Sequence, residues 1–144
     1  MTGTEIIALL PYTEPFLFVD AIESVTDKGI KGHYTFKEDA FFYKGHFKNN
    51  PITPGVILTE CMAQIGLVSL GIYLMRDRED LASLKVAFTS SEVDFLEIVY
   101  PNTKVTVISE IQYFRFNKLK CKVRLYNEQD KLVCQGVLAG MITV

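Results

Sequence analysis

Between Gly55 and Met75 the chain runs almost without polar interruption, and Glu60 is the only charged residue in that span. Apolar positions fall on every side of a helical wheel, so the stretch predicts a helix buried all round, with no wet face. Thr53 suits the N-cap, and Pro54 suits the first helical position, where a missing N–H costs nothing. Roughly 20 apolar residues would also span a bilayer. Glu60 and Gln64 argue against a span, because polar groups are costly in hydrocarbon, and the flanking segments read as strands of a soluble sheet.

Outside the helix the period changes to two. Ile30, Gly32, Tyr34 and Phe36 alternate with Lys31, His33, Thr35 and Lys37. This predicts a half-buried strand, paired through the Asp27-Lys28-Gly29 turn with an apolar, β-prone segment from Phe16 to Val25. His33 falls on the polar face, as a surface residue. Leu119, Cys121, Val123 and Leu125 alternate with Lys120, Lys122 and Arg124 in the same way. Further strands are predicted over Leu84–Ile98, Thr103–Phe116 and Leu132–Val144. Thr2 and Glu5 have the spacing of a capping box, so a short helix is expected over residues 3–9, ended by Pro11. The charge run Arg76–Asp80 reads as the solvated end of the long helix. The predicted architecture is α+β: one domain over residues 1–144, with an antiparallel sheet curled around one long apolar helix.

Composition narrows the classes. A chain of 144 residues that is 49% hydrophobic and 12% aromatic can fold around its own core and is not disordered. Its net charge of −2 gives no global attraction to nucleic acid or to a membrane surface. Cys61, Cys121 and Cys134 are odd in number and unevenly spaced, which suits reduced core thiols in the cytoplasm better than a disulfide framework. With two histidines and no C-x-x-C pair, no metal site is expected. The first residues lack the basic start of a secretory signal.

Two groups inside and before the helix carry candidate chemistry. A carboxylate in a buried helix is expensive unless it is partnered. Glu60 is therefore either a side chain reaching solvent from the first turns or an acid whose pKa is raised at the mouth of an apolar cavity. The helix by itself supports both. The loop before it favours the second. Gly45-His46-Phe47, then Pro51 and Pro54-Gly55, make an irregular backbone that brings an imidazole to a helix N-terminus. The free N–H groups there, that of Gly55 first, can stabilise a developing oxyanion. A base, an acid and an oxyanion donor thus fall within fifteen residues.

The segment GHFKNNPITPGVILTECMAQIG resembles the active-site segment of the hotdog-fold hydroxyacyl–acyl carrier protein dehydratases of the FabZ type. Gly45, His46, Phe47, Pro51, Pro54, Gly55, Val56, Glu60, Ala63 and Gln64 match the family's pattern. The interval from His46 to Glu60 is 60 − 46 = 14 positions, as in the family. Leu9-Leu10-Pro11 and Pro15–Asp20 resemble its opening motif. The resemblance implies a hotdog fold and the conversion of a (3R)-hydroxyacyl thioester to its trans-2-enoyl thioester. It implies His46 as base, the Gly55 backbone as oxyanion donor and Glu60 as acid or water-binder. Phe41, Phe42, Phe47, Val56, Ala63, Gln64 and Leu67 are the candidates to line an acyl tunnel. No cofactor is implied beyond the phosphopantetheine of acyl carrier protein, which carries the substrate. The resemblance further implies a homodimer whose sites take His46 from one subunit and Glu60 from the other, with a trimer of dimers as a possible larger assembly.

An acidic carrier would need cations to dock on, and Lys44 with Lys48, or Arg115 with Lys118 and Lys120, could supply them. Departures from the pattern are Tyr12-Thr13 in place of His-Arg, Ala21 in place of Arg, and Glu97-Ile98-Val99 in place of a basic and proline-containing run. They leave room for a dedicated polyketide-like or aryl-polyene pathway beside fatty-acid synthesis. The alternatives are a hotdog thioesterase and a non-catalytic subunit that binds acyl carriers.

Overall fold

The computed structural model describes residues 1–143. Helix α1 spans Gly3–Leu9, with the Thr2 hydroxyl accepting the Glu5 N–H as the capping pattern requires. Six strands follow in antiparallel pairs: β1 Ala21–Thr26, β2 Gly29–Phe36, β3 Lys85–Phe95, β4 Thr103–Arg115, β5 Lys118–Tyr126 and β6 Leu132–Thr143. Val144, placed by its sequence at the end of the last strand, lies outside the described residues. The sheet order is β1-β2-β4-β5-β6-β3, and the sheet curls around helix α2, Gly55–Leu74. This is the hotdog arrangement. The long apolar helix is the filling of the sheet, with Cys61, Met62, Ile65 and Leu70 at 0% exposure.

The two-residue period holds where the pattern placed it. Ile30, Gly32, Tyr34 and Phe36 are the buried half of β2, and Leu119, Cys121, Val123 and Leu125 the buried half of β5. His33 lies on the outer face, its Nδ1 2.8 Å from a Glu23 carboxylate oxygen. All three cysteines are free and buried.

Three details depart from the sequence expectation. Helix α2 begins at Gly55 with Pro54 as its cap, and Thr53 does not cap it. The Thr53 hydroxyl is taken by the Tyr43 hydroxyl at 2.6 Å instead. The segment Phe16–Asp20 is apolar but forms no strand, because the Gln64 side chain takes the Phe16 carbonyl and the Phe18 N–H. Finally, α2 is not α throughout. Gln64–Ser69 forms a π-turn. The Ser69 hydroxyl donates to the Gln64 carbonyl at 2.7 Å and the Ser109 hydroxyl to the Gly66 carbonyl at 2.8 Å, so two hydroxyls satisfy backbone oxygens of the widened turn.

Strand β3 is the last of the sheet and is held to β6 alone, in part by a close approach at Gly136. A Cβ at Gly136 would collide with the Glu92 carbonyl oxygen and lie 2.8 Å from the Val93 Cα. The obstacle is backbone, which cannot turn aside. Gly136→Ala is expected to destabilise the fold by about 1–3 kcal/mol or more, as overpacking does. Thermal melting checks it, and a melting temperature equal to wild type would contradict the close approach.

Candidate active site

The segment from Phe41 to Pro54 is short of regular structure, and backbone bonds hold it in place. A 3-10 turn over Phe41–Lys44 buries Tyr43. Phe47 and Asn50 exchange backbone hydrogen bonds at 2.9 and 3.0 Å, closing a tight loop. The Ile52 N–H donates to the His46 carbonyl at 2.9 Å, and Thr53 N–H donates to Val99 O at 2.8 Å. His46 stands at the neck of this loop, half-buried, its ring stacked on Phe47 with centroids 4.1 Å apart. Its Nδ1 lies 3.1 Å from the Ile52 carbonyl oxygen. A carbonyl only accepts, so this bond assigns the proton to Nδ1 and leaves the Nε2 lone pair free.

Glu60 is on the second turn of α2. It opens onto a cavity of about 160 Å³. Ala63, Leu67 and Val68 of α2 and Val86 and Phe88 of β3 form hydrocarbon walls, and Tyr12 is the other polar side chain on the lining. Burial raises the Glu60 carboxyl above its ordinary value, and the hydrogen bond from Gln64 opposes the shift. Burial, and after it the charge of Glu60, push the Tyr12 phenol up to about 12.

Gln64 is fully buried and its amide is completely committed. Its oxygen accepts the Phe18 N–H at 2.8 Å. That orients the nitrogen, which donates to the Phe16 carbonyl and to Glu60 Oε1, both at 3.0 Å. One amide therefore fixes the acid and the loop beside it. It also leaves Oε2 as the Glu60 oxygen open to other partners.

On another face of α2, Gly55, Val56 and Thr59 border an open hollow of about 500 Å³ against Ser91, Val93 and Phe95 of β3. Gly55 sits close beneath a ring there: a Cβ would lie 3.1 Å from Phe95, which would have to shift by a few tenths of an ångström to admit it. The first helical bonds run from Ile57 and Leu58 to the Pro54 carbonyl, so the Gly55 N–H precedes them at the positive end of the helix dipole.

His46 is not on the lining of the Glu60 cavity. Of the other residues singled out in the sequence, Ala63 and Leu67 are wall residues of that cavity and Gln64 is beneath it. Phe42 packs among Phe18, Phe36 and Tyr43. Phe41, Phe47 and Val56 are exposed at 53%, 54% and 76%. Tyr12, Val68, Val86 and Phe88 were not singled out for the site. For Tyr12 the one available signal was its departure from the family's histidine.

A family model described as "FabA-like domain" matches residues 10–136, which takes in both His46 and the Glu60 cavity. The chain belongs to the FabA-like family. Among its curated FabA-like relatives is the 3-hydroxyacyl-[acyl-carrier-protein] dehydratase FabZ of Caldicellulosiruptor saccharolyticus, 33% identical over 140 residues, with 94% of each chain covered. A second, of the same name from Petrotoga mobilis, is 33% identical over 142 residues and covers 98% of each. Solved structures share the fold at low identity. The dehydratase heterocomplex ApeI:P from Xenorhabdus doucetiae matches with a TM-score of 0.80 at 12% identity, covering 96% of this chain and 91% of that one. A mutant thioesterase of Pseudomonas aeruginosa matches at 0.69 and 13% identity, covering 99% and 94%.

Proposed function

We propose that this FabA-like chain removes water from (3R)-hydroxyacyl thioesters carried on acyl carrier protein, giving the trans-2-enoyl thioesters of fatty-acid or polyketide-like lipid synthesis. One observation carries this reading: the two groups are prepared in opposite senses. His46 has its Nδ1 engaged and its Nε2 lone pair free, while Glu60 is biased by burial towards its protonated form. A neutral imidazole can take the weakly acidic proton from C2. Negative charge then develops on the thioester oxygen, and the Gly55 N–H at the helix N-terminus is the donor for it. The C3–O bond breaks with its electron pair on oxygen, and the Glu60 proton turns hydroxide into water. Base, acid and oxyanion donor are all side chains or backbone of this protein, and no cofactor is assigned a step. The reading places the enzyme in the cytoplasm, which its three free, buried cysteines suit. Lys44 and Lys48, exposed on either side of His46, offer cations to an acidic carrier.

Incubating the protein with (3R)-hydroxyacyl groups of several lengths, on carrier protein and on coenzyme A, tests this by the appearance of enoyl product. Release of free thiol without enoyl product would replace the reading with thioester hydrolysis.

The site is completed by a second copy. Two features support this: His46 stands outside the Glu60 cavity, and β3 leaves one backbone edge unpaired beside exposed Phe88 and Phe95. Pairing β3 with its symmetry mate would extend the sheet and cover those rings. Each site would then take His46 from one subunit and Glu60 from its partner. Co-expressing His46→Ala subunits with Glu60→Gln subunits tests it. A heterodimer would hold one doubly damaged site and one intact site. Random pairing makes about half the dimers hetero, so roughly a quarter of wild-type activity should return in this isologous arrangement. Activity no higher than the mean of the two variants, with heterodimers demonstrably present, would place both residues of a site on one chain.

A further inference from the structure

The cavity beside Glu60 has two polar side chains on its lining, and the reaction as proposed uses only one of them. We infer that the Tyr12 hydroxyl binds the departing C3 oxygen of the substrate and completes its hydrogen bonding as it leaves. The inference rests on the dehydratase reading, because that reading places the C3 oxygen at Glu60.

The need for a second donor follows from counting. The leaving oxygen gains an electron pair when the C3–O bond breaks. Glu60 meets part of that gain by giving its proton from Oε2, since Oε1 already receives the Gln64 N–H. The oxygen still carries lone pairs, and the other side chains that this subunit puts on the lining, Ala63, Leu67, Val68, Val86 and Phe88, are hydrocarbon. An oxygen without a donor in such a place costs about 1–3 kcal/mol. Tyr12 supplies the missing hydrogen bond and keeps its own proton. With the phenol held at about 12, it is a donor across the whole range in which the enzyme can work. The electron balance is closed by the two groups already named: the C2 proton goes to His46 Nε2, the Glu60 proton goes to oxygen, and water and the enoyl thioester are the products.

Tyr12 neighbours a residue whose backbone is held by the same amide that holds the acid. Its ring lies 6.4 Å from Phe16, centroid to centroid, and the Phe16 carbonyl is bound by Gln64. The phenol-bearing loop and the Glu60 carboxyl are thus referred to one buried group.

Tyr12→Phe removes one oxygen and keeps the ring, so it separates the hydroxyl from the packing. Its kcat for dehydration should fall by about tenfold, the size of one hydrogen bond to a developing charge. Melting temperature should stay close to wild type. The decisive readout is discrimination. In a His46→Ala background, where turnover is suppressed, the affinity for a 3-hydroxyacyl thioester is compared with that for the saturated thioester of the same length. Tyr12 should favour the hydroxylated ligand, and Tyr12→Phe should erase most of that preference. If Tyr12→Phe keeps kcat within twofold of wild type, or lowers both affinities equally, Tyr12 is a wall of the cavity and the inference fails alone. If the wild-type protein forms no enoyl product at all, the dehydratase reading fails and the inference with it.

Discussion

His46→Ala should slow dehydration by about 10²–10⁴-fold, the usual cost of losing a general base. The fold should survive it. The imidazole is half-buried at the neck of a loop, and the backbone bond from Ile52 N–H to the His46 carbonyl does not involve the side chain. The bond that is lost runs from Nδ1 to the Ile52 carbonyl, on a segment also tied by Thr53 to Val99. Substrate affinity should change far less than kcat, because the base acts on a proton that moves only in the transition state. Initial rates of enoyl formation with the carrier-bound substrate measure this. A His46→Ala protein that works within a few-fold of wild type would remove His46 from the mechanism.

Glu60→Gln should abolish most activity and, at neutral pH, raise the melting temperature. The replacement can still accept the Gln64 N–H, so the local geometry is kept, but it has no proton to give. The stability argument follows from the direction of the shift. Burial raises the Glu60 pKa in the folded state, so the folded protein holds that proton more tightly than the unfolded chain does. Stability from this group is therefore fully present below the unfolded pKa. It is lost as pH rises through the folded pKa, where a charge must sit in an apolar cavity. Glutamine carries no such charge. The melting temperature of Glu60→Gln should thus exceed wild type at neutral pH, and the gap should close on acidification. An active variant, or one with the same offset at every pH, would make Glu60 an incidental carboxylate.

What could be read from the chain depended on how local the cause was. Helix α2 was legible because its apolar residues leave no polar face, and β2 and β5 because Ile30–Phe36 and Leu119–Leu125 alternate cleanly. The matched motif brought His46, Gly55 and Glu60 to attention for the same reason, since they lie close together in sequence. Features set by distant partners were not legible. Thr53 looks like a cap until Tyr43 takes its hydroxyl. Phe16–Asp20 looks like a strand until Gln64 takes its backbone groups from 46 and 48 positions away. Tyr12 reaches the Glu60 cavity through folding alone, and β3 supplies Val86 and Phe88 from beyond the helix. The apolar candidates also scatter in the fold, with Ala63 and Leu67 on the Glu60 cavity and Val56 on the hollow beside Gly55, a division that their letters do not carry.

The π-turn at Gln64–Ser69 gives the helix one residue more than an α-helix would use to cover the same rise. The wider turn absorbs that extra residue, so the sequence register of the buried face shifts by one position from Leu70 onward. The two halves of α2 are in different phase, and the sheet has grown around both. Losing a single residue within the π-turn would close it into regular α-helix over the same rise, leaving Leu70 and Ile72 against their neighbours. The π-turn therefore acts as slack in descent. A one-residue deletion there keeps the surrounding core, whereas the same deletion in the α-helical half that carries Glu60 would turn one part of the helix by about 100° against the other.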